Sequence, residues 1–275
     1  MPKIALLQMT SGIDPIANAN AIADAANRAA GEGAQMLFTP EMAGLLDRKR
    51  SRAAENIVAE SASPIVEIVA RAAADASIWI ALGLPVARDD GRWTNRTILF
   101  DHKGDVAARY DKIHMFDVEL DTGESWRESA AYAPGEQVVT VDDTPLGRLG
   151  LATCYDIRFP ALFDELGRRR CDAIAIPAAF TVPTGKAHWH LLQRARAVEA
   201  SAFVIAAAQV GDHEDGRSTY GHSLVVGPWG VVQLDLGGDA AGMQICDVDL
   251  NRIAEVRKQL PCLANKRNIP KSPSR

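Results

Sequence analysis

A thiol can attack a carbonyl carbon, a carboxylate can carry the proton away and back, and an ammonium can hold the negative charge that develops. The chain places one of each where such chemistry is done. Cys154 closes the apolar run Leu149-Gly150-Leu151-Ala152-Thr153, Glu41 follows Met36-Leu37-Phe38 through Thr39-Pro40, and Lys112 comes soon after the run 106–109. Each run reads as a strand, so all three residues stand at or just beyond a strand's carboxyl end, where open α/β sheets gather their ligands. Pro160, followed by Ala161, Leu162, Phe163 and Leu166, predicts a helix with proline in its first turn. Cys154 therefore sits on a strand-to-helix elbow, where backbone N–H groups and a nearby cation are expected to favour the thiolate. Singly these residues say little, because a lone cysteine is more often core filler and lone charges are more often solvated.

The elements that must position them alternate. A strand over 4–8, a helix from Asp14-Pro15 to Ala30 and a strand over 36–38 are followed by a helix that Ser63-Pro64 caps and a strand over 78–84. A hairpin over 97–109 leads into an irregular acidic segment from 111 to 135, long enough to be functional. Strands over 137–141 and 148–153 precede the elbow. Beyond it come a strand over 173–176, a helix over 187–200, a strand over 203–207, a hairpin around Gly227-Pro228-Trp229-Gly230, a strand over 242–248 and a helix from Asn251 that Pro261 ends. Alternation in both halves with hairpins between predicts two sheets flanked by helices, a four-layer α-β-β-α sandwich of the α/β class. One domain over 1–275 is expected, with a polar tail from about 262 that frays or docks on a partner subunit.

Composition narrows the class. Hydrophobic residues make up 47% of the 275 and charged residues 24%, ordinary for a globular chain, and a net charge of −5 without basic runs argues against nucleic acid. Four scattered cysteines without C-x-x-C spacing suit a reducing compartment rather than a disulfide framework. The N-terminal apolar run is too short for a signal peptide and nothing approaches a membrane span, so a cytoplasmic protein without membrane contact is expected. Asn95-Arg96-Thr97 matches a glycosylation sequon, which reads as chance in that compartment.

Pro40-Glu41, Tyr110-Asp111-Lys112-Ile113-His114 and Cys154-Tyr155-Asp156-Ile157-Arg158-Phe159-Pro160 occur in an order and spacing that resembles the nitrilase superfamily of carbon–nitrogen hydrolases over nearly the whole chain. That resemblance implies the nitrilase type of α-β-β-α sandwich, with Glu41 as general base, Lys112 as electrostatic stabiliser and Cys154 as nucleophile. It also implies a second glutamate near the lysine, for which Glu128 is the best-placed residue and Glu119, Glu124 and Glu136 are neighbours. The implied chemistry is amide hydrolysis through a Cys154 thioester with release of ammonia, the oxyanion held by Lys112 and the N–H of Tyr155. Tyr155, Phe180 and Thr181 are the expected substrate contacts. Tyr155-Asp156 after the nucleophile, where nitrile hydrolysers carry Trp-Glu, points to amides.

Downstream, Thr184-Gly185-Lys186-Ala187-His188-Trp189, Tyr220-Gly221-His222-Ser223 and Pro228-Trp229-Gly230 resemble the Nit branch. That implies an ω-amide of an α-keto acid as substrate: deaminated glutathione first, toward which Ala206-Ala207-Ala208-Gln209 and His213 lean, with α-ketoglutaramate or α-ketosuccinamate as the ω-amidase alternative and an N-carbamoyl amide after that. A catalytically silent scaffold is the alternative from another class, and the presence of Glu41, Lys112 and Cys154 speaks against it. No cofactor or metal is expected. His188 and His190 lie on different sides of a helix and are assigned to packing and subunit contact. The resemblance further implies a homodimer or larger homo-oligomer.

Overall fold

The computed structural model describes residues 1–121, 123 and 125–270. Lys3–Gln8 forms β1, buried at every residue after Lys3, as a strand covered on both faces must be. Asp14 caps α1 (Pro15–Gly31), its carboxylate accepting from the N–H groups of Ile16 and Ala17 while proline occupies the first turn. Next come β2 (Met36–Phe38), α2 (Arg50–Asn56), α3 (Pro64–Ala76) under its Ser63 cap, and β3 (Trp79–Ala87). β4 (Trp93–Phe100) and β5 (Val106–Asp111) form one hairpin, and β6 (Asp117–Glu119) and β7 (Ser125–Arg127) a smaller one. β8 (Thr140–Thr144) and β9 (Gly147–Leu151) lead through Cys154 to α4 (Pro160–Arg168). Then follow β10 (Ala173–Ala175), α5 (Val182–Ala200), β11 (Phe203–Ala206), β12 (Val210–Asp212) and β13 (Ser218–Tyr220). β14 (Leu224–Val226), β15 (Val232–Asp235), β16 (Gly242–Asp247), α6 (Asn251–Gln259) and α7 (Cys262–Asn265) complete the order.

Two sheets of six strands carry the fold, one in the order β16-β1-β2-β3-β4-β5, the other β15-β14-β11-β10-β9-β8. Three buried clusters explain how they stack. Ala5, Leu7 and Leu37 face α1 and α3; Ile4, Leu6, Met36 and Phe38, one residue out of phase, face Leu149, Leu151, Ala173, Phe203 and Ile205 of the other sheet. Ile174, Val204 and Ala206 turn outward onto Phe163, Leu166, Trp189 and Ala197 of α4 and α5. The result is the expected α-β-β-α sandwich. At the carboxyl ends the sheets are also stitched by backbone, Met9 donating to Ala208 at 3.4 Å and accepting from Val210 at 2.8 Å.

The elements differ from the sequence expectation where polarity hides them. α2 buries only Ala53 and has no apolar stripe to read. α5 starts at Val182 rather than 187 because Pro183 opens it. The strand expected over 148–153 stops at Leu151, since Thr153 leaves the ladder to cap a short 3-10 turn, Cys154–Arg158, that intervenes before α4. The strand expected over 137–141 lies at Thr140–Thr144, and the segment 111–135 contains the β6–β7 hairpin. Of the tail, Cys262–Asn265 is helical, and 271–275 fall outside the described residues.

Candidate active site

Glu41 sits in the turn after β2, and its backbone is brought against β3 by Gly83. A Cβ on Gly83 would stand 2.3 Å from the Pro40 carbonyl oxygen and 3.1 Å from the Glu41 Cα, so only glycine permits this approach. Lys112 follows β5 directly, and its backbone N–H donates to the Asn95 carbonyl of β4 at 2.9 Å. Cys154 arrives from the other sheet. It takes a left-handed φ of 48°, its N–H donating to the Pro177 carbonyl at 2.9 Å, and this strained elbow swings the thiol away from the strand. The Tyr155 N–H lies in the first turn of the 3-10 segment, where amides lack intrahelical acceptors.

The three side chains meet. Lys112 Nζ donates to Glu41 Oε1 at 3.0 Å and to Glu128 Oε2 at 2.8 Å, and Cys154 lines the same cavity beside all three. Glu128 is thus the second glutamate at the lysine; Glu119 and Glu136 are exposed and away from the cavity, and Glu124 lies outside the described residues. Glu41 is fixed further by the Ala179 N–H, 2.8 Å from Oε2. The Phe116 N–H, 2.6 Å from Glu128 Oε2, does the same for Glu128.

Burial works against every charge here, and the outcome differs by residue. Burial raises the Glu41 carboxyl, but the Lys112 ammonium and hydrogen bonds from Cys154, Lys112 and Asn95 outweigh it and hold Glu41 below the ordinary glutamate value. Burial opposes the Lys112 charge as well, yet Glu128 and then Glu41 keep it well above the usual lysine range. For Cys154, burial and the Glu41 charge together push the thiol well above its ordinary value, with Lys112 opposing. The sequence expectation of a favoured thiolate is therefore corrected. The elbow does supply a cation, but it supplies an anion too, and the resting pair is a carboxylate beside a neutral thiol.

Two residues hold this arrangement in roles that the sequence reading did not assign them. Asn95, seen there only as a chance sequon, donates from Nδ2 to Glu41 Oε1 at 2.7 Å and to Glu128 Oε1 at 3.1 Å, tying the two carboxylates together. Its signal was its place on β4, whose first residues carry too many polar side chains to read as a strand. Asp156, fully buried, accepts from Tyr110 Oη at 2.6 Å, the Thr153 N–H at 2.9 Å and the His114 N–H at 3.0 Å, and pairs with His114 Nδ1 at 2.7 Å. It locks the segment bearing Lys112 to the segment bearing Cys154. Gln209 adds a third brace, donating to the Glu41 carbonyl at 3.1 Å.

A cavity of about 700 Å³ opens onto the cluster, within the range of small-molecule sites. Tyr155, Phe180 and Thr181 line it beside Glu41, Lys112, Glu128 and Cys154. His213 does not; it is buried behind, between the Ser11 carbonyl and Thr219 Oγ1. His188 contacts Arg158, whereas His190 meets Asp235 at 2.8 Å beside His222, three groups whose donor atoms lie within 4.8 Å of one another and away from the cavity.

The carbon-nitrogen hydrolase family model matches residues 3–258. The chain belongs to that family. The hydrolase is 39% identical to the deaminated glutathione amidase of Yersinia enterocolitica over 270 residues, 97% of this chain and 93% of that one. Its structure is similar to that of the C. elegans NitFhit protein, with a TM-score of 0.89 at 34% identity, covering 97% of this chain and 65% of the other. It is also similar to an amidase from Nesterenkonia sp. AN1, in a mutant that shows Michael addition of acrylamide at the active site cysteine, with a TM-score of 0.79 at 29% identity over 95% of this chain and 98% of that one. No helix among the described residues is long and apolar enough to cross a membrane.

Proposed function

We propose that the hydrolase cleaves the amide of deaminated glutathione through a thioester on Cys154. The observation that carries this reading is the buried Glu41–Lys112–Glu128 cluster around the thiol, at the floor of a cavity with room for a substrate longer than a small keto amide. The relative in Yersinia enterocolitica supports the choice of substrate.

With a carboxylate beside a neutral thiol at rest, proton transfer accompanies the attack in this reading. Glu41 takes the Cys154 proton as Sγ bonds to the amide carbon, and the carbonyl electrons move onto oxygen, where Lys112 and the Tyr155 N–H receive them. Collapse breaks the C–N bond, and the leaving nitrogen takes the proton from Glu41. Water then attacks the thioester, giving its proton to Glu41, and the C–S bond breaks as the proton returns to Sγ. Glu128 keeps Lys112 charged throughout, and Asn95 keeps both carboxylates in place. In deaminated glutathione the scissile nitrogen belongs to cysteinylglycine, so the leaving group is that dipeptide's amine; ammonia leaves only from a primary amide.

The working form in this proposal is a cytoplasmic single-domain protein that assembles as a homodimer or larger. Leu191 and Val198 on α5, with Trp229 and Val231 on the adjoining turn, remain 42–65% exposed and support a self-association face that the tail could extend. The test is turnover by purified protein, with Cys154→Ser as blank. Deaminated glutathione should yield 2-oxoglutarate and cysteinylglycine with the highest kcat/KM. Preference for α-ketoglutaramate with ammonia release would make the protein an ω-amidase, preference for an N-carbamoyl amino acid would remove it from the Nit branch, and silence on all three would overturn the assignment.

A further inference from the structure

The cavity has an outer wall that the hydrolytic cluster does not use. It is built from the loop after Glu41, from β7 and from the turn between β12 and β13, and it is rich in cations although the chain as a whole carries −5. Some of these cations serve the fold. Arg52 donates to Asp47 at 2.6 and 3.0 Å, and Arg217 to the buried Asp215 at 2.8 Å, so each has its own carboxylate. Arg48 and Arg50 are different. Neither guanidinium has a carboxylate partner among the described residues, and Lys49 between them has none either. Arg50 is nevertheless held: it donates to the Arg127 carbonyl at 2.9 Å and the Ala130 carbonyl at 3.4 Å, spanning from the start of α2 to the end of β7 and the turn beyond it. Arg48 is anchored through its backbone N–H, 2.8 Å from Asp215 Oδ2, which sets its side chain beside Gly216.

Three adjacent like charges cost stability unless something answers them, and a guanidinium fixed by neutral carbonyls keeps its charge and spare N–H groups for another acceptor.

We infer that Arg48 and Arg50 form a carboxylate-binding subsite that receives the end of the substrate distal to the scissile amide. The inference rests on the amidase reading of the same cavity and adds to it the residues that select an amide carrying a carboxylate remote from the reacting carbon. Bidentate guanidinium contacts would fix that end, while the local positive field would raise the encounter rate of an anion with an otherwise anionic protein.

The test separates binding from turnover. Calorimetric titration of deaminated glutathione into Cys154→Ala should give an affinity that falls about tenfold when Arg48→Gln and Arg50→Gln are added, the loss expected for a charge-assisted contact. That affinity should also weaken as salt rises, and a carboxyl-esterified analogue should bind with neither dependence. Equal affinity with and without the arginines, or no binding to Cys154→Ala, overturns the subsite. Wild-type turnover with arginine-independent binding would keep the amidase and sink the subsite. Arginine-dependent binding without turnover would keep the subsite and sink the amidase.

Discussion

Replacing Asn95 by alanine removes one of the two side chains, with Lys112, that donate to both Glu41 and Glu128. In the intact protein its Nδ2 lies 2.7 Å from Glu41 and 3.1 Å from Glu128, and the residue is 1% exposed, so no water replaces the lost amide without entering the site. Hydrogen bonds to charged groups contribute about 1.5–3 kcal/mol. If about 2 kcal/mol of that positioning is felt in the transition state, kcat/KM falls about thirtyfold. The direction of the pH effect follows as well. The Asn95 bond lowers the Glu41 pKa, so its loss lets burial raise that pKa. As the proposed base, Glu41 works only when ionised, so activity should be lost as pH falls through its pKa, and the acid limb of the kcat/KM profile should move to higher pH in Asn95→Ala. Thermal unfolding monitored by circular dichroism controls for the fold. A variant with wild-type kcat/KM and an unmoved acid limb would refute the bridging role.

Three further outcomes are expected. Lys112→Met leaves Glu41 and Glu128 buried without their shared cation, so turnover should disappear and denaturant melts should show a loss of about 3–5 kcal/mol. Gly83→Ala drives a Cβ into the Pro40 carbonyl, and about 1–3 kcal/mol of strain with displacement of Glu41 should lower kcat more than it raises KM, read from steady-state kinetics. Asp156→Asn weakens four contacts in a fully buried site, and a stability loss of about 2–3 kcal/mol should accompany a slower first-turnover acylation, measured by rapid quench.

The sequence showed the layers because these obey local rules, and the order and spacing of three motifs singled out Glu41, Lys112 and Cys154. β1 and β2 are apolar runs bounded by turn residues, α1 and α3 carry their caps, and the residues at strand ends follow from them. What it could not show depends on groups distant in sequence. Asn95 and Asp156 are recognisable only once β4 lies beside Glu41 and the Cys154 turn lies beside β5. The protonation of Cys154 was misjudged for the same reason, since an elbow's amides are legible locally whereas the balance between Glu41 and Lys112 is set by distances across the fold. Glu128 was found by its position between two motifs, although the β6–β7 hairpin that delivers it was hidden by its polar composition.

In the proposed mechanism the base Glu41 and the cation Lys112 hang from one sheet and the nucleophile Cys154 from the other, with Asp156 as the pin between them. Neither half owns a working set. As the chain is synthesised, β1 to β5 emerge with a base that has nothing to deprotonate, and the thiol gains its partner only after the second sheet closes over the first. Assembly of the sandwich is in this sense a safety catch: a half-folded chain presents an ordinary cysteine, and hydrolytic power is released only once the seam has shut.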